Sequence, residues 1–166
     1  KRAEERLALA RKTAQEALEL MREFSQELRG LETSDGLRIA LENLMRISVP
    51  SGVEYEVSFE GEEEHIPDYV RDQLYMVLRE GVRNAVAHSG SDRVAVEVKV
   101  TPKAVTAAIR DFGMGFDTVK PPSEGVGLKS MEERTSLLGG SFELVPEPEG
   151  GMMAEVRMPL MREHSL

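Results

Sequence analysis

No cysteine occurs among the 166 residues, which excludes disulfides and thiolate metal sites and fits a reducing compartment. Aromatic residues are scarce, at 5%. No apolar run approaches the ~18–20 residues of a membrane span, and Lys1 heads a polar stretch unlike a secretion signal. Positive charge is not in excess either. A net charge of −9 argues against a nucleic-acid surface, because neutralising phosphates needs clustered Lys and Arg. What remains, 40% apolar and 31% charged residues, suits a soluble, cytoplasmic globular domain with length for one extra element. The first residue is Lys instead of Met, as expected of a fragment or processed chain.

Periodicity then sets out the elements. Over residues 3–31, Leu7, Ala14, Met21 and Leu28 repeat every heptad, and Ala10, Ala17, Phe24 and Leu31 fill the complementary positions. Leu18 and Leu20 broaden the stripe towards bundle packing. A helix of that length would run roughly 43 Å, so a partner helix from another segment or subunit is expected; the alternative is a helix folded back on its own domain. Ser34-Asp35-Gly36 reads as a helix start, followed by Leu37, Ala40, Leu41, Leu44 and Met45 on one face. Val53, Tyr55, Val57 and Phe59 alternate as a half-buried strand, and Gly61 to Glu64 reads as a solvated loop. Pro67 suits the first turn of a helix running to about His88, with Tyr69, Leu74, Val77, Leu78, Val82 and Ala85 as its buried stripe. Val94 to Val100 and Val105 to Ile109 alternate on either side of a Thr101-Pro102-Lys103 turn. A helix from about Gly127 to Leu138 and strands at Phe142 to Val145 and Met153 to Met158 complete the chain. The order predicts an α+β fold: a two-layer sandwich of a mixed, mainly antiparallel sheet with helices on one face.

Three blocks within this frame carry chemistry. Glu80, Asn84 and His88 fall one helical turn apart on one face. Magnesium takes hard oxygen ligands and shares them with phosphates. An Asn carbonyl supplies such an oxygen without added negative charge; a carboxylate one turn earlier can hold metal-bound water or accept a proton. His88 can reach phosphate as a donor. Asp111 ends an alternating strand and is followed by Gly113 and Gly115; an acceptor there can take the exocyclic amine of adenine while glycines let backbone approach the base. Gly125 and Gly127, with Leu128, precede a helix whose free N–H groups favour phosphate. Each block alone has an ordinary reading: a polar helix stripe, or a turn made of Asp and Gly. Asp111-Phe112-Gly113 copies a protein-kinase triplet without its upstream partners, and Gly125 to Ser130 misses the Walker A spacing.

In this order the blocks resemble the N, G1 and G2 boxes of the ATP-binding domain of sensor histidine kinases, within the group that includes type II topoisomerases, heat-shock-90 chaperones and MutL-type repair proteins. The run from Gly127-Leu128 through Met131, Arg134 and Leu138 to Gly139-Gly140 is similar to that of the subfamily pairing with NarL-type response regulators, as is Leu28-Arg29-Gly30. The resemblance implies a Bergerat-type ATPase fold over residues 32–160, a tail at 161–166, and the second helix of a homodimerising four-helix bundle at 1–31. It implies ATP and Mg2+ as cofactors. Asn84 would hold the metal; Asp111, Gly113, Gly115, Gly125, Gly127, Leu128 and His88 would hold ATP, and Glu80 would act catalytically. Pro121-Pro122-Ser123 would belong to a lid ordered by nucleotide.

The chain departs from the family pattern in three places. Neither His65, His88 nor His164 stands in a phosphoacceptor context, Ala87 replaces a frequent Lys, and Gly151-Met152 replaces a usual Gly-Thr. The implied activity is therefore γ-phosphoryl supply to a histidine outside this chain and then to a response-regulator Asp, without autophosphorylation by these residues alone. Two other readings share the blocks: a non-catalytic ATP-binding dimeric signalling module, and a protein-serine kinase of the anti-sigma-factor type.

Overall fold

The computed structural model describes residues 32–88, 90–113, 126–148 and 150–160, with only the backbone of His88 and Val126. The helix expected at 3–31, the lid at Pro121-Pro122-Ser123 and the tail at 161–166 lie outside the described residues. The chain divides into two units, Lys1–Ser34 and Asp35–Leu166, and every element below belongs to the second.

Helix α1, Leu37–Ser48, buries Leu37, Ala40, Leu41, Leu44 and Met45, the i, i+3, i+4 stripe that the sequence pattern required. Its N-cap is Gly36, which offers no side-chain acceptor. A residue distant in sequence supplies one instead: the Arg38 N–H donates to Glu63 Oε2 at 3.1 Å, and a Cβ on Gly36 would lie 2.7 Å from Glu63 Oε1. The segment expected as a solvated loop is thus a short 3-10 turn, Glu63–His65, that caps α1. A carboxylate suits the unpaired N–H groups and positive end of a helix.

Strand β1, Glu54–Glu60, is an edge strand with Val57 and Phe59 half-buried. Helix α2, Asp68–His88, starts immediately after Pro67, whose carbonyl accepts the N–H groups of Val70 and Arg71 at 2.9 Å each. Its buried apolar side chains are Val70, Leu74, Tyr75, Val77, Leu78, Val82 and Ala85. Tyr69, expected in that stripe, is exposed; Val70 holds the position, because one residue rotates a side chain by about 100° round a helix and the phase is set by Leu74 and Leu78. Each large aliphatic fully buried here contributes about 1.5–3 kcal/mol over an exposed one.

Strands β2 (Arg93–Val100) and β3 (Ala104–Asp111) form the expected hairpin, closed by Thr101 through its N–H and Oγ1 to the Ala104 carbonyl. Helix α3, Val126–Leu137, and strands β4 (Ser141–Pro146) and β5 (Met152–Pro159) follow. The sheet order is β1-β2-β3-β5-β4. The β1–β2 pair is parallel and the rest antiparallel, which bears out the mixed, mainly antiparallel α+β sandwich. The register aligns Val96 with Ile109 and Ile109 with Ala154, so one face carries the valines of β2 with Val105, Ala107, Val156 and Met158 into the core. Alternate positions put Glu97, Arg110, Glu155 and Arg157 on the other face.

Candidate functional site

Helix α2 lies close on the sheet because Gly81 has no side chain: a Cβ there would come within 2.8 Å of Ile109 Cδ1. That contact aligns the middle of α2 with the end of β3, two residues before Asp111. The next residue back, Glu80, faces the start of α3, where a Cβ on Gly127 would lie 2.1 Å from Glu80 Oε1. Two glycines therefore bring the three blocks together, and each works by permitting a close approach. Arg134 and Gln73, hydrogen-bonded at 2.9 Å, fasten α3 to α2 further along. Met131 and Thr135 bury the inner face of α3, with Thr135 Oγ1 donating to the Met131 carbonyl at 2.8 Å.

Asp111 is 8% exposed and pairs with Val94 across the β2–β3 ladder. Its Oδ1 accepts the Gly113 N–H at 3.2 Å, and the Met152 N–H is a second donor to the carboxylate. Burial pushes its carboxyl up from the ordinary value of 3.8, and these two N–H groups counter the shift in part. The carboxylate is thus fixed in direction and partly dehydrated. Such an acceptor discriminates between a planar base that presents an N–H and one that presents an oxygen, because an unmatched buried polar atom is costly.

Glu80 is largely buried and paired with Arg83 at 2.5 Å. Asn84, half-buried, lies one turn further on the same helical face. Gly113 and Leu128 are half-buried, and Leu128 packs against the core. His88 closes α2 in backbone only; its side chain, Gly115 and Gly125 lie outside the described residues. Among the described residues there is no group of three or more His, Cys, Asp or Glu that could hold a metal ion. Mg2+ keeps several waters and shares phosphate oxygens, so a single neutral carbonyl such as that of Asn84 is a chemically suitable ligand for it.

Sequence reasoning missed what three residues contribute, Gly151 among them although it stands in the Gly151-Met152 pair noted above. Gly81 could have been suspected, since an isolated glycine inside a helical pattern often marks close packing. Gly151 sits where a Cβ would be 2.0 Å from the Asp111 carbonyl oxygen, a cross-strand contact with no local signal. Ser91 Oγ accepts the Phe112 N–H at 3.0 Å, again across strands. A basin of about 510 Å3 lies on the opposite, open face of the sheet, lined by Glu56, Arg93, Glu97, Arg110, Phe112 and Glu147 among others. None of the expected ligating residues lines it, and its guanidinium groups are already paired with carboxylates.

A family model described as histidine kinase-, DNA gyrase B-, and HSP90-like ATPase matches residues 69–162. The sensor protein VraS of Staphylococcus aureus (strain COL) is 28% identical over 163 residues, covering 98% of this chain and 47% of that protein. VraS of Staphylococcus haemolyticus (strain JCSC1435) is 29% identical over 161 residues, covering 96% and 46%. The chain thus spans about half the length of the curated relatives it matches. Among solved structures, the blue-light activated histidine kinase of Erythrobacter litoralis EL346 superposes with a TM-score of 0.63 at 17% identity, over 78% of this chain and 43% of that one. The ATP binding domain of PrrB from Mycobacterium tuberculosis gives 0.56 at 22% identity, over 74% and 90%. At these identities the likeness shows the fold.

Proposed function

Because the chain belongs to the family of histidine kinase-, DNA gyrase B-, and HSP90-like ATPases, we propose that it is the Mg-ATP-binding catalytic part of a two-component sensor histidine kinase. The observation that carries this reading is the convergence of the three blocks. Glu80 meets Gly127, Gly81 meets Ile109, and the buried carboxylate of Asp111 stands at the end of that same strand. Residues 1–31 are then the second helix of a homodimeric bundle, 32–160 the catalytic domain and 161–166 a tail. The relatives named as sensor proteins, similar over nearly the whole chain, support the sensor-kinase reading.

Within the site, Asp111 accepts the exocyclic amine of adenine, and Gly113 and Gly115 let the base lie against backbone. Asn84 offers its carbonyl oxygen to Mg2+, which neutralises phosphate charge when bound. Gly125, Gly127 and Leu128 shape the phosphate loop at the start of α3, and His88 donates to phosphate. Glu80, held by Arg83, would order a water beside bound Mg2+ or accept a proton. Phosphoryl transfer needs chiefly positioning and charge neutralisation, and these residues provide both. The γ-phosphoryl passes to a histidine outside this chain and then to an Asp of a response regulator, of the NarL type on the strength of the Met131 to Gly140 run.

Calorimetry of ATP binding with and without Mg2+ tests the reading. Wild type should bind, Asp111→Asn should lose adenine selectivity, and Asn84→Ala should lose magnesium dependence. Absence of binding at millimolar ATP would overturn the proposal; an Asn84→Ala variant with unchanged magnesium dependence would remove Asn84 from the metal.

A further inference from the structure

We infer that Ser91 is a positioning residue for base recognition, setting the direction of the Asp111 carboxylate from outside the three nucleotide blocks. The inference rests on the reading of Asp111 as the adenine acceptor.

The β2–β3 ladder ends at the pair Val94–Asp111. Beyond it, the N–H of Phe112 has no strand partner, and the Ser91 hydroxyl supplies the acceptor at 3.0 Å. That hydroxyl is itself fixed: it donates to the Arg93 carbonyl at 2.5 Å and accepts the Arg93 N–H at 3.1 Å. The peptide joining Asp111 to Phe112 is therefore anchored at its N–H and closely packed at its carbonyl. Its N–H meets Ser91, and its carbonyl oxygen lies against Gly151, where no Cβ would fit. The next side chain is held as well. The Arg93 guanidinium stands 4.9 Å from the Phe112 ring centroid and is tied to Glu56 Oε2 at 2.8 Å. Stacking of this kind is directional, since the cation must sit over the ring face.

A planar peptide anchored at its N–H and packed against Gly151 limits how Asp111 can turn, and a hydrogen bond to a base amine weakens steeply with misalignment. Phe112 is exposed enough, at 42%, for its N–H to bond water when the hydroxyl is removed, so Ser91→Ala should remain folded. What it should lose is direction at Asp111.

The test compares ATP with ITP, which carries a carbonyl oxygen where adenine has its amine, binding to the 166-residue chain with Mg2+. Wild type should prefer ATP. Ser91→Ala should bind ATP about three- to tenfold more weakly, the loss expected for one misaligned hydrogen bond, with ITP unchanged. Ser91→Thr, which keeps the hydroxyl, should restore the preference. Arg93→Lys, which keeps a cation for Glu56 but loses the flat stack, should show a smaller loss specific to ATP. Equal weakening for both nucleotides would mark Ser91 as a general turn residue and overturn the inference, as would unchanged binding of both or failure of Ser91→Thr to restore. A wild-type chain that binds ATP and ITP alike overturns the reading of Asp111 itself, and the inference with it.

Discussion

Replacing Gly151 by Ala should damage this fold more than the loss of a glycine normally would, and the structure says by how much. Gly151 has φ +94°, a region that costs a side-chain-bearing residue roughly 1–2 kcal/mol. An added Cβ would also lie 2.0 Å from the Asp111 carbonyl oxygen and 2.8 Å from its carbon. These are backbone atoms in a paired strand and cannot swing aside, so overpacking adds about 1–3 kcal/mol. The lower entropy of the unfolded Ala chain returns about 0.4–1 kcal/mol. The expected net loss is about 2–4 kcal/mol. Gly52 is the matched control: its φ is +98°, but nothing lies within 4 Å of its would-be Cβ. Gly52→Ala should therefore lose only about 0.5–1 kcal/mol, strain less the entropy return. Urea unfolding followed by circular dichroism measures both, compared at equal slopes. If the two substitutions cost the same, the clash with Asp111 is not real and the cross-strand argument fails.

Asp111→Asn should separate stability from function. Because burial raises the folded-state pKa of Asp111 above 3.8, the unfolded state ionises first. Stability from this group is then present below 3.8 and is lost as pH rises through the folded value. At pH 7 the neutral Asn variant should be as stable as wild type or more so while losing adenine selectivity, and its advantage should shrink as pH is lowered and vanish only in unfolding curves measured well below 3.8. A variant that is less stable at pH 7 by the same margin at both pH values refutes this. Glu63→Ala should destabilise the α1 unit by about 1 kcal/mol, the worth of a helix N-cap, with Glu63→Gln losing less because its amide oxygen still accepts the Arg38 N–H; equal stability of wild type and Glu63→Ala in urea would remove Glu63 as a cap.

The run from Met131 to Gly140 illustrates how a sequence signature divides once it is folded. Met131 and Thr135 are core side chains, Arg134 bonds Gln73, and a Cβ on Gly140 would lie 2.1 Å from the Arg157 carbonyl oxygen. The signature therefore records how α3 is seated between α2 and β5. That seating in turn presents Gly127 to Glu80, so packing and site are one arrangement.

Periodicity by itself located the helices and strands of the described residues. The spacing of Leu37 to Met45, the alternation of Val94 to Val100 and the order of the three blocks are local patterns, and local patterns follow from backbone geometry. Only the tertiary structure decided the rest. It placed β5 between β3 and β4, turned Tyr69 outward in favour of Val70, and set Glu63 on a helix start 25 residues away. It also put Gly151 and Ser91 on the two sides of one peptide at Asp111. These are contacts between residues far apart in the chain, selected by how faces fit and by which polar groups lack a local partner. The sequence marked Asp111 as an acceptor; the fold decided where it points.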